Sequence, residues 1–231
     1  MVRPALVALA AVSAVHLGAQ LVDPDGIIAP LTQVLLMPVL AWVLVSGVSS
    51  TRPRLVRLTL LALGFSWLGD TLPRFASEDA GFLLMVGCFL LAQLTYAVAF
   101  LPYWRASIVR RSPILLVPYA AGLARLVAVT HVRAGSLLVP LVFYGLALGT
   151  MAVLATGLGW VAGIGGALFF LSDSLIALRA FADVTLPAHG FWVMLTYILG
   201  QTLLVLAVVR VADGAVLSRS LRAEPAQRHT A

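Results

Sequence analysis

Eight long apolar runs constrain the fold of this chain more than any other feature of the sequence. Each has the roughly 17–25 residues that a helix needs to cross the hydrocarbon core of a bilayer. Because lipid cannot satisfy backbone N–H and C=O groups, we predict that each run is a transmembrane α-helix. The runs cover residues 5–22, 31–48, 55–72, 81–101, 113–130, 136–155, 159–178 and 189–211.

The composition excludes the main soluble alternatives. Of the 231 residues, 61% are apolar and only 10% are charged, against about 25% charged in an average soluble domain. One soluble core cannot hide that much apolar surface, so a soluble enzyme, a disordered chain and a disulfide scaffold are all ruled out. We therefore predict an all-α membrane bundle of eight transmembrane helices over residues 1–212, followed by a polar, disordered cytoplasmic tail over 213–231.

The arginines predict the orientation of the chain. All 15 basic residues are Arg, and 11 of them lie at the N-terminus, after the second and fourth runs, or in the tail and its junction, against three in the other connections. Because positive loops stay on the cytoplasmic side, we expect both termini there. Short, scattered loops of this kind do not favour a nucleic-acid partner. We expect the helices to be surrounded by membrane lipids. The use of Arg for every basic residue is typical of a GC-rich bacterial genome, so we expect a bacterial cytoplasmic membrane.

Two acidic residues lie inside apolar runs, where a charge is costly. Asp70 lies in the third run and Asp173 in the seventh, and an Asp at a helix centre costs about 2.5–3.5 kcal/mol on insertion scales. Both helices run outward in the predicted topology, so both carboxyls should lie at comparable depth in the non-cytoplasmic half of the membrane and face one another across a shared pocket. A lone Asp near the end of a run is often a cap, but the matched pair favours catalysis.

Small and polar residues surround the two aspartates in the sequence or lie in neighbouring runs. Small residues let another helix or a ligand approach closely, whereas hydroxyl and amide groups can bond a carboxylate or water. A buried Tyr or Gln also serves as a hydrogen bond between helices, so both roles are open. The candidate supporting residues are Gly69, Thr71, Gln93, Tyr96, Tyr144, Ser172, Ser174, Tyr197 and Gln201.

A short pattern is shared by the two aspartate-bearing runs. Residues 68–72 and 171–175 both read Leu, small residue, Asp, hydroxyl residue, Leu. Each Asp is in the third helix of a group of four, which predicts two parallel four-helix repeats related by an axis along the membrane normal. Apolar helices also share short patterns by chance, so the repeat is supporting evidence only.

The sequence contains no motif of a metal site, a serine-nucleophile site or a phosphate-binding loop. His16, His131, His189 and His229 form no spaced pair, and metal sites usually need such groups to converge. We therefore expect no metal and no cofactor. No Gly-x-Ser-x-Gly sequence and no phosphate-binding glycine loop is present.

Residues 65–72 and 166–181, together with the eight-span layout, resemble the YhhN-like membrane proteins, which include the lysoplasmalogenases. The family's Gly-Asp motif corresponds to Gly69-Asp70, and its Ser-Asp-Ser motif corresponds to residues 172–174. Residues 196–201 resemble the family's last helix, and the likeness covers roughly residues 30–210. One position departs from the pattern, because Gln93 stands where a His-x-x-Tyr sequence is expected.

The resemblance implies hydrolysis of the vinyl ether bond of a lysoplasmalogen to a fatty aldehyde and a glycerophospho-base. One carboxyl would protonate the β-carbon and the other would assist water, and two neighbouring carboxyls at low dielectric cannot both ionise easily. Arg74, Arg125 or Arg179 would meet the substrate phosphate.

Two other functions fit the same residues. A proton-coupled transporter for a small molecule or a lipid would also use paired carboxylates in parallel repeats. A non-catalytic membrane scaffold would need neither aspartate.

Overall fold

The computed structural model describes residues 2–48 and 53–227, without the side chains of Ser136 and of residues 215–227. Every regular element in these ranges is a helix. Eight of the helices there are long and apolar enough to cross a membrane. The predicted all-α membrane fold is therefore confirmed, and the chain is an integral membrane protein.

The helices follow the predicted runs in order. A single-turn helix, α5, lies in the connection between the fourth and fifth spans, and short 3₁₀ turns occupy other connections. The α-helices are α1 (Val2–Val22), α2 (Ile28–Gly47), α3 (Arg54–Thr71), α4 (Glu78–Phe100), α5 (Ile108–Arg111), α6 (Val117–Ala134), α7 (Leu138–Ala155), α8 (Trp160–Ala182) and α9 (His189–Gln227).

Two boundaries differ from the prediction for local reasons. Helix α6 begins at Val117 rather than at 113, because Pro113 opens a 3₁₀ turn and Pro118 fits only the first turn of the helix. Helix α9 continues to Gln227, so most of the segment predicted as a disordered tail has helical backbone. That segment is rich in Ala, Leu and Arg, which are strong helix formers. Residues 228–231 of the predicted tail lie outside the described residues.

The bundle consists of an N-terminal half, α1–α4, and a C-terminal half, α6–α9. Within each half, every helix contacts the next one in the chain. Between the halves, α4 contacts α7, and α9 contacts α1, α2 and α3. The contacts of α4 with α7 and of α2 with α9 each join the second helix of one half to the fourth helix of the other, as the predicted repeat would, whereas the contacts of α9 with α1 and α3 have no such counterpart.

We use the term distal side for the end of the bundle that holds the connections 23–27, 72–77, 135–137 and 183–188. The predicted topology makes it the non-cytoplasmic side. Here Arg133 of α6 forms an ion pair with Asp183, which ends α8 in the left-handed conformation at φ 53°. The pair joins the distal ends of two helices that enclose the candidate site.

Helices α8 and α9 cross with their backbones in contact. A Cβ atom at Gly165 would lie 2.9 Å from the carbonyl oxygen of Gly200, and a Cβ at Gly200 would lie 2.9 Å from that of Gly165. Both glycines are therefore required for this close approach. The contact fixes α9, which carries Tyr197, against α8, which carries Asp173.

We expect Gly200→Ala to separate α8 from α9 and to destabilise the protein by about 1–3 kcal/mol, the usual range for overpacking a tight interface. The measurement is the midpoint of thermal unfolding of the purified protein in detergent. Gly64→Ala is the matched control, because a Cβ there meets no atom within 4 Å and Ala favours the helix. Equal midpoints for the two variants would contradict the packing described here.

The orientation is tested by cysteine labelling of whole cells after Cys88→Ala removes the single native cysteine. We expect Ser77→Cys, in the α3–α4 connection, to react with a membrane-impermeant maleimide. Ser112→Cys, at the opposite end of the bundle, should react only after the cells are lysed. The reverse pattern would place the termini outside.

Candidate active site

Asp70 lies in the last turn of α3 and is buried, with 6% of its surface exposed. The amide Nε2 of Gln33 donates a hydrogen bond of 2.9 Å to Oδ1, and the hydroxyl of Tyr197 donates one of 2.9 Å to Oδ2. Both carboxyl oxygens therefore accept a bond, one from α2 and one from α9. These donors compensate for the loss of water on burial.

Asp173 lies in α8 and is buried to the same degree, with 7% exposed. The hydroxyl of Tyr144 donates to Oδ2 at 2.5 Å, and the amide Nε2 of Gln93 donates to the same oxygen at 2.8 Å. The Gln93 amide also donates to the Tyr144 hydroxyl at 2.9 Å. Oδ1 accepts no hydrogen bond from any residue that the structure describes. Asp173 thus keeps one oxygen free.

The two carboxyls are held by equivalent helices of the two halves. Asp70 is bonded by the second helix of its own half, α2, and by the fourth helix of the other half, α9. Asp173 is bonded by α7 and α4, which hold the same places. The pairing of second and fourth helices seen in the fold therefore recurs in the hydrogen bonds of the site.

Aromatic rings connect the two groups. The ring of Tyr197 packs edge-to-face against Phe89 at 5.7 Å and against Phe169 at 5.5 Å. Phe89 also lines the cavity that contains Asp173. The two carboxyls therefore belong to adjacent polar groups, with Phe89 between Tyr197 and the cavity.

An apolar cavity of about 70 Å³ lies among the distal halves of α4, α6, α7 and α8. Its polar lining residues are Asp173, Tyr144 and Ser174, and Asp70 is not among the residues that line it. The expectation that both carboxyls face one shared pocket is therefore wrong for this cavity, because Phe89 packs between it and Tyr197, the partner of Asp70. Leu83 and Pro140 line the cavity and are exposed at the surface of the bundle. That surface faces lipid in a membrane, so the cavity lies next to the bilayer.

Arg74 supports the Asp70 group from the distal side. Its Nε donates to the backbone carbonyl of Asp70 at 3.2 Å, and its NH2 group donates to Oε1 of Gln33 at 2.8 Å. The bond to Oε1 turns the amide nitrogen of Gln33 toward the carboxyl. Arg74 thus holds one of the two donors of Asp70 in place.

A family model matches residues 28–208 of the chain, most of its length. The chain belongs to the YhhN family. The matched segment contains both aspartates and all four residues that donate to them. Neither a curated protein nor a solved structure matches the sequence at a significant level.

Three of the predicted site residues of this YhhN protein are direct partners of a carboxyl, namely Gln93, Tyr144 and Tyr197. Tyr96 and Gln201 instead belong to a separate buried network. The hydroxyl of Tyr96 donates to Oε1 of Gln201 at 2.7 Å, and Nε2 of Gln201 donates to Oγ of Ser66 at 3.0 Å. This network joins α4, α9 and α3 as interhelical bonds.

The hydroxyl residues next to the aspartates do not donate to them. Ser172 donates to the carbonyl of Val193 on α9 at 3.0 Å, and Ser174 donates to the carbonyl of Phe170 one turn earlier. The Oγ1 atom of Thr71 is buried without a partner among the described residues. Neighbours in sequence point to different faces of a helix, and the hydroxyls of Ser172 and Ser174 donate to backbone carbonyls instead of the carboxyl, although Ser174 lines the same cavity as Asp173.

Gly69 allows close packing, because a Cβ there would lie 3.0 Å from the ring of Phe89. The three arginines that were predicted to contact the substrate phosphate lie in different surroundings. Arg74 belongs to the Asp70 group, whereas Arg125 and Arg179 are exposed and contact neither carboxyl in the described chain.

Gln33 is the site residue that sequence reasoning missed. It lies in the second apolar run, near the same distal side as Asp70, and a polar amide in such a run was a usable signal. Within the described residues, no group of three or more His, Cys, Asp or Glu gathers at one place. The expectation that this YhhN protein needs no metal or cofactor stays a prediction.

Proposed function

We propose that this YhhN-family protein is an intramembrane hydrolase that cleaves the vinyl ether bond of lysoplasmalogens. The products are a fatty aldehyde and a glycerophospho-base. The observation that supports this most directly is a carboxyl oxygen, Oδ1 of Asp173, left free beside an apolar cavity that adjoins lipid. Family membership is compatible with this activity.

The chemistry needs an acid and a base in one sheltered place. A proton added to the β-carbon of the vinyl ether leaves positive charge on the α-carbon, shared with the ether oxygen. Water then adds to the α-carbon and loses a proton, and the resulting hemiacetal breaks its bond to the glycerol oxygen. Asp70 and Asp173 supply two carboxyls for these transfers, a contribution usually worth about 10²–10⁴ in rate.

The cavity suits the hydrocarbon part of such a substrate. Its walls are apolar except at Asp173, Tyr144 and Ser174. A volume of about 70 Å³ accepts only the first part of an alkenyl chain, so the remainder would pass by Leu83 and Pro140 into the bilayer. Arg179, near the distal end of α8 and bonded to neither carboxyl, would then meet the phosphate.

The test is mass spectrometry of the purified protein incubated with a panel of lysoplasmalogens, with free aldehyde as the product. We expect Asp70→Asn and Asp173→Asn each to lower turnover by about 100-fold or more while the protein stays folded. Asp25→Asn is the control, because Asp25 is exposed in the α1–α2 connection and does not line the cavity. Full activity in both site variants would reject the catalytic assignment.

We expect Ala177→Phe to fill the cavity and block the chain of the substrate. Ala177 is a buried lining residue, 8% exposed. Ala180→Phe, three residues later on the exposed surface of α8, is the control for an added aromatic ring. The readout is the KM and the turnover for aldehyde release, and wild-type values for Ala177→Phe would exclude the cavity as the substrate site.

A second candidate function is a proton-coupled transporter. The two equivalent halves, each presenting a buried carboxyl to the other, suit transport as well as hydrolysis. Uptake into vesicles that is driven by a pH gradient, without formation of aldehyde, would favour this function.

A further inference from the structure

We propose that the two aspartates have fixed and different roles, with Asp173 as the acid and Asp70 as the carboxylate base. In this assignment Gln33 and Arg74 are positioning residues that hold Asp70 in its charged form. The assignment rests on the proposed function for the chemical step, but the protonation of the two groups can be tested separately.

The hydrogen bonds of Asp173 fit a neutral carboxylic acid. Both of its donors, Tyr144 and Gln93, bond the same oxygen, Oδ2. A carbonyl oxygen has two lone pairs and satisfies both donors at once. The proton then belongs on Oδ1, which no described residue bonds, on a side chain that lines the cavity. An acid in this state presents its proton directly to a bound substrate.

The hydrogen bonds of Asp70 fit the ionised form instead. Gln33 donates to Oδ1 and Tyr197 donates to Oδ2, so each oxygen already faces a donor. A proton on Oδ1 would face the amide donor of Gln33, and a proton on Oδ2 would require the Tyr197 hydroxyl to turn and accept it, whereas a carboxylate accepts both bonds as they stand. The guanidinium of Arg74, bonded to the backbone of the same residue, adds a positive charge that favours the anion.

The two halves differ at the position that matters for this assignment. Arg74 lies four residues after Asp70, in the 3₁₀ turn that follows α3. The residue four positions after Asp173 is Ala177, which lines the apolar cavity. The position four residues after the aspartate therefore holds a cation in the N-terminal half and an apolar cavity residue in the C-terminal half. Asp70 has a positive charge beside it, whereas Asp173 has an apolar neighbour.

The proton transfers balance over one turnover. Oδ1 of Asp173 gives its proton to the β-carbon, and Asp70, which does not line the cavity, takes through an intervening water a proton from the water that adds to the α-carbon. When the hemiacetal breaks, its hydroxyl proton returns to Asp173 and the proton on Asp70 passes to the departing glycerol oxygen. Both groups end in their starting states, and no oxidant or further reactant is needed.

Infrared spectroscopy of the purified protein tests the assignment without any substrate. A protonated carboxyl has its own C=O stretching band, which shifts in D₂O. Among the residues with described side chains, Asp70 and Asp173 are the only buried acidic ones, so exposed carboxylates at neutral pH do not contribute. We expect one such band in the wild type, its loss in Asp173→Asn and its retention in Asp70→Asn.

The positioning residues are tested by the same band. We expect Gln33→Leu and Arg74→Gln to add a second band, because Asp70 loses the group that favours its charge. Arg57→Gln is the matched control, since Arg57 is exposed near the opposite end of α3 and bonds neither carboxyl. In the aldehyde assay, both positioning variants should lower kcat by roughly 10-fold or more with little change in KM.

The outcomes separate the assignment from the proposed function. Loss of the band in Asp70→Asn rather than in Asp173→Asn, or no band or two bands in the wild type, would overturn the assignment. So would a single unchanged band in Gln33→Leu and Arg74→Gln. If the bands behave as expected but wild-type protein releases no aldehyde, the assignment of protonation survives and the proposed function fails.

Discussion

A carboxyl group buried in an apolar bundle must receive hydrogen bonds from neighbouring helices, and the architecture of this protein follows from that requirement. Asp70 and Asp173 each receive two donors, one from the second helix of the same half and one from the fourth helix of the other half. No half can satisfy its own aspartate alone. The need to compensate two buried groups therefore fixes how the halves dock.

The close crossing of α8 and α9 serves the same end. Contact between Gly165 and Gly200 holds the two backbones together, and the ring of Tyr197 then packs against Phe169 while its hydroxyl reaches Asp70. Packing near the centre of the bundle thus sets the position of a donor closer to its distal side. The Tyr96–Gln201–Ser66 network adds a second connection between the halves.

Local patterns in the sequence were enough to predict the spans, the two aspartates and three of their four partners. Length and hydropathy define a membrane helix without reference to its neighbours, and a charge inside such a helix is conspicuous. Gln33 could not be assigned in this way, because its role depends on which helix lies beside α3. The exact start of α6 and the helical course of residues 213–227 depend on local turns and propensities that hydropathy does not report. The cavity arises from side chains of four helices, and no single segment carries its signature.

The exposed edge of the cavity at Leu83 and Pro140 determines how a ligand would be supplied. A molecule that enters there diffuses in two dimensions and never crosses bulk water. Saturation would then follow the mole fraction of the lipid in its own leaflet rather than its amount per volume of buffer. Diluting a substrate with inert lipid at constant total substrate should slow turnover, whereas diluting the whole vesicle suspension should not.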